Sequence, residues 1–211
     1  MDIVESQVRE SDFGRYLCAQ FAPPAVRPAL LAVLALAVEL ASVRDRTVRE
    51  PAMSAIRFAW WRDGLDAIFT GKAPPPEPIL LALQRAVGLH GLSRAPFDDL
   101  LEGVQREAEG ASPGEVAVAI GAGPLRAWLE ILNVRDADSI AAAQQAGAAW
   151  ALAVRGEEAH ARQHVAHARS LRAKVDGRAL PAMLTATVAE KERGRVGLQL
   201  ALLRRALFGR Y

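Results

Sequence analysis

Between the Pro23-Pro24 pair and Val43 the sequence is apolar on nearly every face of a helix. A helix with no polar side is stable in water only when other elements surround it. The charge-free stretch from Pro28 to Val38 is bounded by Arg27 and Glu39, and it supplies only about half of the roughly 20 residues a membrane span requires. It therefore predicts the central helix of a bundle, and the rest of the chain must supply the helices that cover it.

The flanking segments meet that requirement. Ser11 is read as the cap of a short helix ending near Phe21, before the proline pair breaks it. A third helix is expected from about Glu50 to Phe69, with Pro51 in its first turn and Gly71 just past its end. The stiff connector Lys72 to Pro78 then aims a helix over 79–89. Phe97, Leu100, Leu101 and Val104 recur at helical spacing behind Asp98, Asp99 and Glu102, whose carboxylates oppose the helix dipole. Ser112-Pro113 with Glu115 opens a further helix, expected to kink at Gly121 and Gly123-Pro124. Asp138 or Ser139 is the expected cap of a helix reaching Arg155, and weaker helical patterns follow over 157–175, 178–192 and 195–208. With no strand-like alternation and no repeat, residues 1–211 read as a single all-α bundle domain.

The charge balance, 26 basic against 24 acidic residues, leaves no nucleic-acid footprint. The lone Cys18 among Leu17, Ala19 and Phe21 reads as a buried thiol, and no disulfide ties the chain to an oxidising compartment. The opening MDIVESQVRESD has neither the basic nor the apolar region of a secretory signal, so the expected address is cytoplasmic. Nucleophile elbows, phosphate loops and zinc-binding patterns are absent. His160, His164 and His167 share a helix face, but with Arg162, Arg169 and Arg172 interleaved they read as a basic, solvated helix suited to an acidic partner or anionic membrane. The closing RRALFGRY reads as a last helix docking on the bundle.

The stretch FGRYLCAQFAPPAVRPALLAVLALAVELASV, continued by RDRTVREPAMSAIRFAWWRDGLDAIFTG, resembles the squalene/phytoene synthase family of head-to-head prenyl transferases. The likeness is to its short bacterial and mitochondrial branch, which includes a complex I assembly factor. The resemblance implies an isoprenoid-synthase-type helical bundle. In the family's enzymes two aspartate-rich helical motifs hold Mg²⁺ against prenyl diphosphates. Mg²⁺ takes hard oxygen ligands, so carboxylates one helical turn apart are the least it needs.

Overlaying the first motif places Ala41 and Ser42 where a carboxylate pair belongs and keeps only Asp45, with Glu39 about 200° round the helix from the first expected site. The second motif overlays VRGEEAHARQ, keeping Arg155 but placing Gly156, Ala159 and His160 where carboxylates belong. Glu157 and Glu158 rescue it only in a shifted register. Metal binding is therefore not expected, with Glu39, Asp45, Glu157 and Glu158 as weak candidates, and no cofactor is expected unless Mg²⁺ serves an active enzyme.

Arg49, Arg57, Arg62, Trp60 and Trp61 match the family's third-helix pattern, and with Arg155 they are the candidate contacts for an anionic headgroup. The competing reading makes Trp61, Leu65 and Ile68 a core stripe with the arginines as its rim. An apolar cavity is expected beside the second and third helices. The resulting expectation is a non-catalytic assembly, chaperone-like or prenyl-lipid-binding factor, for respiratory complex I among the choices. Its partners would be a prenyl lipid or diphosphate or a membrane-complex subunit, with a peripheral inner-membrane contact and no nucleic acid. The alternative is a Mg²⁺-dependent prenyl transferase.

Overall fold

A computed structural model of the chain describes residues 3–47, 51–190 and 195–208, and every regular element among them is a helix. The helices are α1 (Ile3–Ser11), α2 (Phe13–Ala19), α3 (Arg27–Thr47), α4 (Pro51–Phe69), α5 (Pro78–His90) and α6 (Ala95–Ala108). They continue with α7 (Pro113–Ile131), α8 (Ala137–Ala153), α9 (Glu158–Ser170), α10 (Leu180–Met183), α11 (Thr185–Val188) and α12 (Arg195–Phe208).

The apolar helix of the sequence is α3, and it is central. Every residue from Ala29 to Ala37 is buried, and α1, α2, α4, α5, α6 and α7 all pack on it. By length and composition the segment Pro24–Arg46 could cross a membrane, but 61% of its most apolar window is buried inside the bundle. Trp128 of α7 is fully buried and donates its indole N–H to the Leu30 carbonyl at 3.0 Å, so its one polar atom is satisfied.

Local chemistry sets several helix ends. Ser112 and Glu115 form a capping box before α7, and Pro78 and Pro113 occupy first-turn positions. Two caps differ from the sequence reading. Asp12, not Ser11, caps α2 by accepting from the Arg15 N–H, and Asp136, not Asp138 or Ser139, caps α8 by accepting from the Ser139 N–H. A carboxylate three residues before the amide it serves reaches it more directly than a side chain inside the first turn. The polar opening segment forms α1, which buries Val4 and Val8. The pattern over 178–192 resolves into the short α10 and α11.

The glycines of α7 do not interrupt it. α7 runs unbroken past Pro124, and Gly121 packs against Gly147 of α8 so closely that a Cβ at either position would lie within about 2 Å of the other's backbone. They let two helix backbones touch.

Candidate functional site

Asp12 closes the start of α2 with both carboxylate oxygens: Oδ1 accepts from the Arg15 amide at 3.1 Å and Oδ2 from Arg15 Nε at 2.5 Å. Arg15 is only 1% exposed, its guanidinium carbon lies 3.3 Å from the centre of the Trp150 ring, and its Nη1 has no partner among the described residues. Burial lowers its pKa, opposed by Asp12. An arginine held in this way keeps a desolvated donor beside the adjacent space.

That space is a cavity of about 800 Å³. The C-terminal half of α3 contributes Val38, Ala41, Ser42, Arg44, Asp45 and Arg46; α8 and its exit contribute Trp150, Val154 and Arg155; Val104, Ile120 and Val188 complete an apolar wall. Its charged lining is four arginines, Arg15, Arg44, Arg46 and Arg155, against Asp12 and Asp45. A second hollow of similar size shares Trp150, Val154 and Val188 with it. The two halves of the acidic-motif overlay, far apart in sequence, thus meet at one cavity.

The carboxylates near this cavity are already engaged. Arg44 donates to Glu107 Oε2 at 2.7 Å and to Asp45 at 2.6 Å. Arg155 donates to both oxygens of Glu107, from Nη2 at 2.7 Å and from Nε. Burial alone would raise the Glu107 pKa, but the hydrogen bonds from Arg155 and Arg44 together hold it below its ordinary value. This arginine–glutamate–arginine tie joins α3, α6 and the end of α8. Arg46 donates to the Ser42 hydroxyl at 2.7 Å, so the neutral residue in the first acidic motif is paired with a cation.

The weak metal candidates disperse. Glu39 meets Gln7 and Arg46, and burial, the largest influence, raises its pKa. The chain leaves α8 through Gly156, in the left-handed region at φ 80°, and Glu157 and Glu158 follow at the start of α9, where they pair with His160 and Arg162. That break removes the continuous helical face the second motif requires. Among the described residues no three of His, Cys, Asp and Glu stand together in a way that could hold a metal. The donor set does not fit Mg²⁺, because Asp12, Asp45 and Glu107 are each paired with an arginine whose charge opposes a divalent cation. Two histidines of α9 are likewise engaged locally: His160 faces Glu157, and His164 Nδ1 lies 2.7 Å from the Gln145 amide oxygen, where burial lowers its pKa first, the other two imidazoles next.

Of the predicted headgroup contacts, the cavity gathers Arg155 alone. Arg49 lies outside the described residues. Trp61 is buried in the core and meets Trp60 edge-to-face at 5.0 Å, Trp60 is exposed, and Arg62 donates outward to Gln105. Arg57 does not line the cavity either, and its Nη1 is buried without a partner among the described residues. This cavity is lined by α3 together with α2, α6, α7, α8 and α11, and none of the described α4 residues is in its lining. Arg15, Arg44, Arg46, Glu107 and Trp150 carry the site without having been singled out in the sequence. Only the FGRY stretch gave a local signal, a charged residue set among apolar ones.

A family model for squalene/phytoene synthase matches residues 8–117. The chain belongs to that family. The fold agrees, since it superposes on squalene synthase HpnC from Alicyclobacillus acidocaldarius with a TM-score of 0.71, covering 97% of this chain and 93% of that one at 16% identity. Among curated family relatives the chain is similar to the NADH dehydrogenase (ubiquinone) complex I assembly factor 6 of Bos taurus, 26% identical over 67% of this chain and 44% of the relative. It is also similar to the protein of that name in Homo sapiens, 32% identical over 41% of this chain and 26% of the relative. The chain spans less than half the length of these curated relatives.

Proposed function

We propose that this protein is a non-catalytic member of its family that holds an anionic, apolar-tailed ligand such as a prenyl lipid or prenyl diphosphate and serves the assembly of respiratory complex I. The observation that carries this reading is the capture by arginine of the carboxylates in and beside the cavity: Asp12 by Arg15, Asp45 by Arg44, and Glu107 by Arg44 and Arg155. Diphosphate loss requires strong neutralisation of the leaving group, which family members obtain through metal-bound carboxylates. Here the same wall offers guanidinium groups, which hold an anion but by themselves stabilise a departing diphosphate poorly. Similarity to complex I assembly factors supports the assembly role. A cytoplasmic protein attached peripherally to the inner membrane fits that role.

The test incubates purified protein with farnesyl or geranylgeranyl diphosphate, with and without Mg²⁺ and reduced nicotinamide cofactor. The expected result is saturable binding that Mg²⁺ leaves unchanged, with no released diphosphate and no condensed product. Turnover abolished by chelation, and again by Asp45→Asn or Glu39→Gln, would overturn the reading in favour of a Mg²⁺-dependent prenyl transferase. The assembly role is tested separately, by loss of complex I activity in a deletion strain and its restoration by this chain.

A further inference from the structure

Helix α12 has two apolar faces, and the bundle uses only one. Leu198 and Leu202 are buried, and the helix packs on α2 and α11. Val196, Leu200, Leu203 and Leu207 are 68%, 63%, 49% and 71% exposed. At about 100° per residue these four fall within a stripe about 60° wide, on the far side from Leu198 and Leu202. An aliphatic stripe of this regularity costs solubility and helps no internal packing, which marks it as an interaction surface.

The charge around it identifies the occupant. Residues 191–211 hold six basic side chains and one acidic, a net of +5, while the whole chain carries only +2, which leaves the remaining 190 residues at −3. The exposed Arg204 flanks the stripe, and Arg205 is held by Glu190. A protein-docking patch usually centres on aromatic anchors, and the stripe contains only aliphatic side chains. At 14 residues α12 is about 21 Å long, too short to cross a hydrocarbon core of about 30 Å. Aliphatic side chains in one plane on a short helix, within a segment of net positive charge, are the equipment of an in-plane interfacial helix.

We infer that α12 lies in the surface of an anionic lipid bilayer, with Val196, Leu200, Leu203 and Leu207 immersed and Arg204 at the headgroups. The helix packs on α2 and α11, which supply Arg15 and Val188 to the cavity lining, so the attached face belongs to the elements that wall the cavity. This inference does not depend on the absence of catalysis, and its failure would leave the cavity's ligand binding untouched.

The test is flotation of the full chain with vesicles of phosphatidylcholine alone and of phosphatidylcholine containing phosphatidylglycerol or cardiolipin. Binding should require the anionic lipid and weaken with salt. The Leu200→Glu/Leu203→Glu double variant should lose about tenfold or more in vesicle affinity while keeping the helical spectrum, melting temperature and diphosphate binding of the parent. Ile56→Glu, at another exposed apolar position on α4, should bind vesicles as the parent does. Failure of the parent to float with anionic vesicles would overturn the inference, as would equal binding by the double variant. A concentration-dependent dimer that the double variant dissolves, with vesicle binding unchanged, would assign the stripe to a second copy of the chain and overturn it equally.

Discussion

Glu107 is the residue on which the cavity's arrangement turns, because it accepts from arginines on two other helices. Its ionised form is favoured in the folded state, so it contributes stability above its ordinary pKa of 4.5 and loses that contribution as the pH falls through the lower folded value. Glu107→Gln should cost about 1–3 kcal/mol at neutral pH and flatten the acid limb of a stability-versus-pH curve from chemical denaturation. An unchanged acid limb would mean that the tie contributes nothing net. Arg46 differs, since it is exposed and, among the described residues, bonds only to α3 groups, Ser42 and Glu39. Arg46→Ala should weaken farnesyl diphosphate binding about tenfold by calorimetry with little change in melting temperature. Arg57→Ala, outside the cavity, should leave that affinity unaltered.

At the scale of elements, the contact between α7 and α8 has the least tolerance. Gly121→Ala places a methyl against the Gly147 carbonyl, and neither partner is a side chain that can move aside. The helices must separate, so a loss of about 3 kcal/mol or more in a urea titration is expected, and Gly147→Ala should behave alike. Gly88→Ala, with open space around the new methyl, should be neutral or slightly stabilising. On α4, Trp61→Ala should cost about 3–5 kcal/mol, since the ring is buried in the core cluster, while the exposed Trp60 should tolerate truncation at much smaller cost. Thermal unfolding of the two single variants separates them.

For the molecule as a whole, the cavity combines an arginine-rich side with an apolar wall in a family whose enzymes rely on Mg²⁺. A divalent cation entering this space meets four guanidinium groups and carboxylates already bonded to them. Millimolar Mg²⁺ should therefore leave the melting temperature unchanged, whereas farnesyl diphosphate in excess should raise it by several degrees through binding to the folded state. A Mg²⁺-dependent rise in either quantity would show that a carboxylate had been freed to take the metal.

Local chemistry alone placed the central helix, the starts of α4, α5 and α7, the extent of α12 and the family likeness. The apolar faces, first-turn prolines and capping box behind them act within a few residues of chain. Tertiary structure decided the site. Arg44 and Arg155 find Glu107 across 63 and 48 residues, a pairing with no periodicity to betray it. The Trp60-Trp61 pair looked like a headgroup site because aromatics beside arginines suit anions, yet the rotation of α4 against α3 sends one ring into the core and the other to solvent. Gly121 looked like a helix interruption because glycine is a poor helix former, and only the approach of Gly147 showed that it lets two helices touch. Which carboxylates remain free for a metal is likewise settled by how helices distant in sequence face one another, because a charge is neutralised by its neighbours in space.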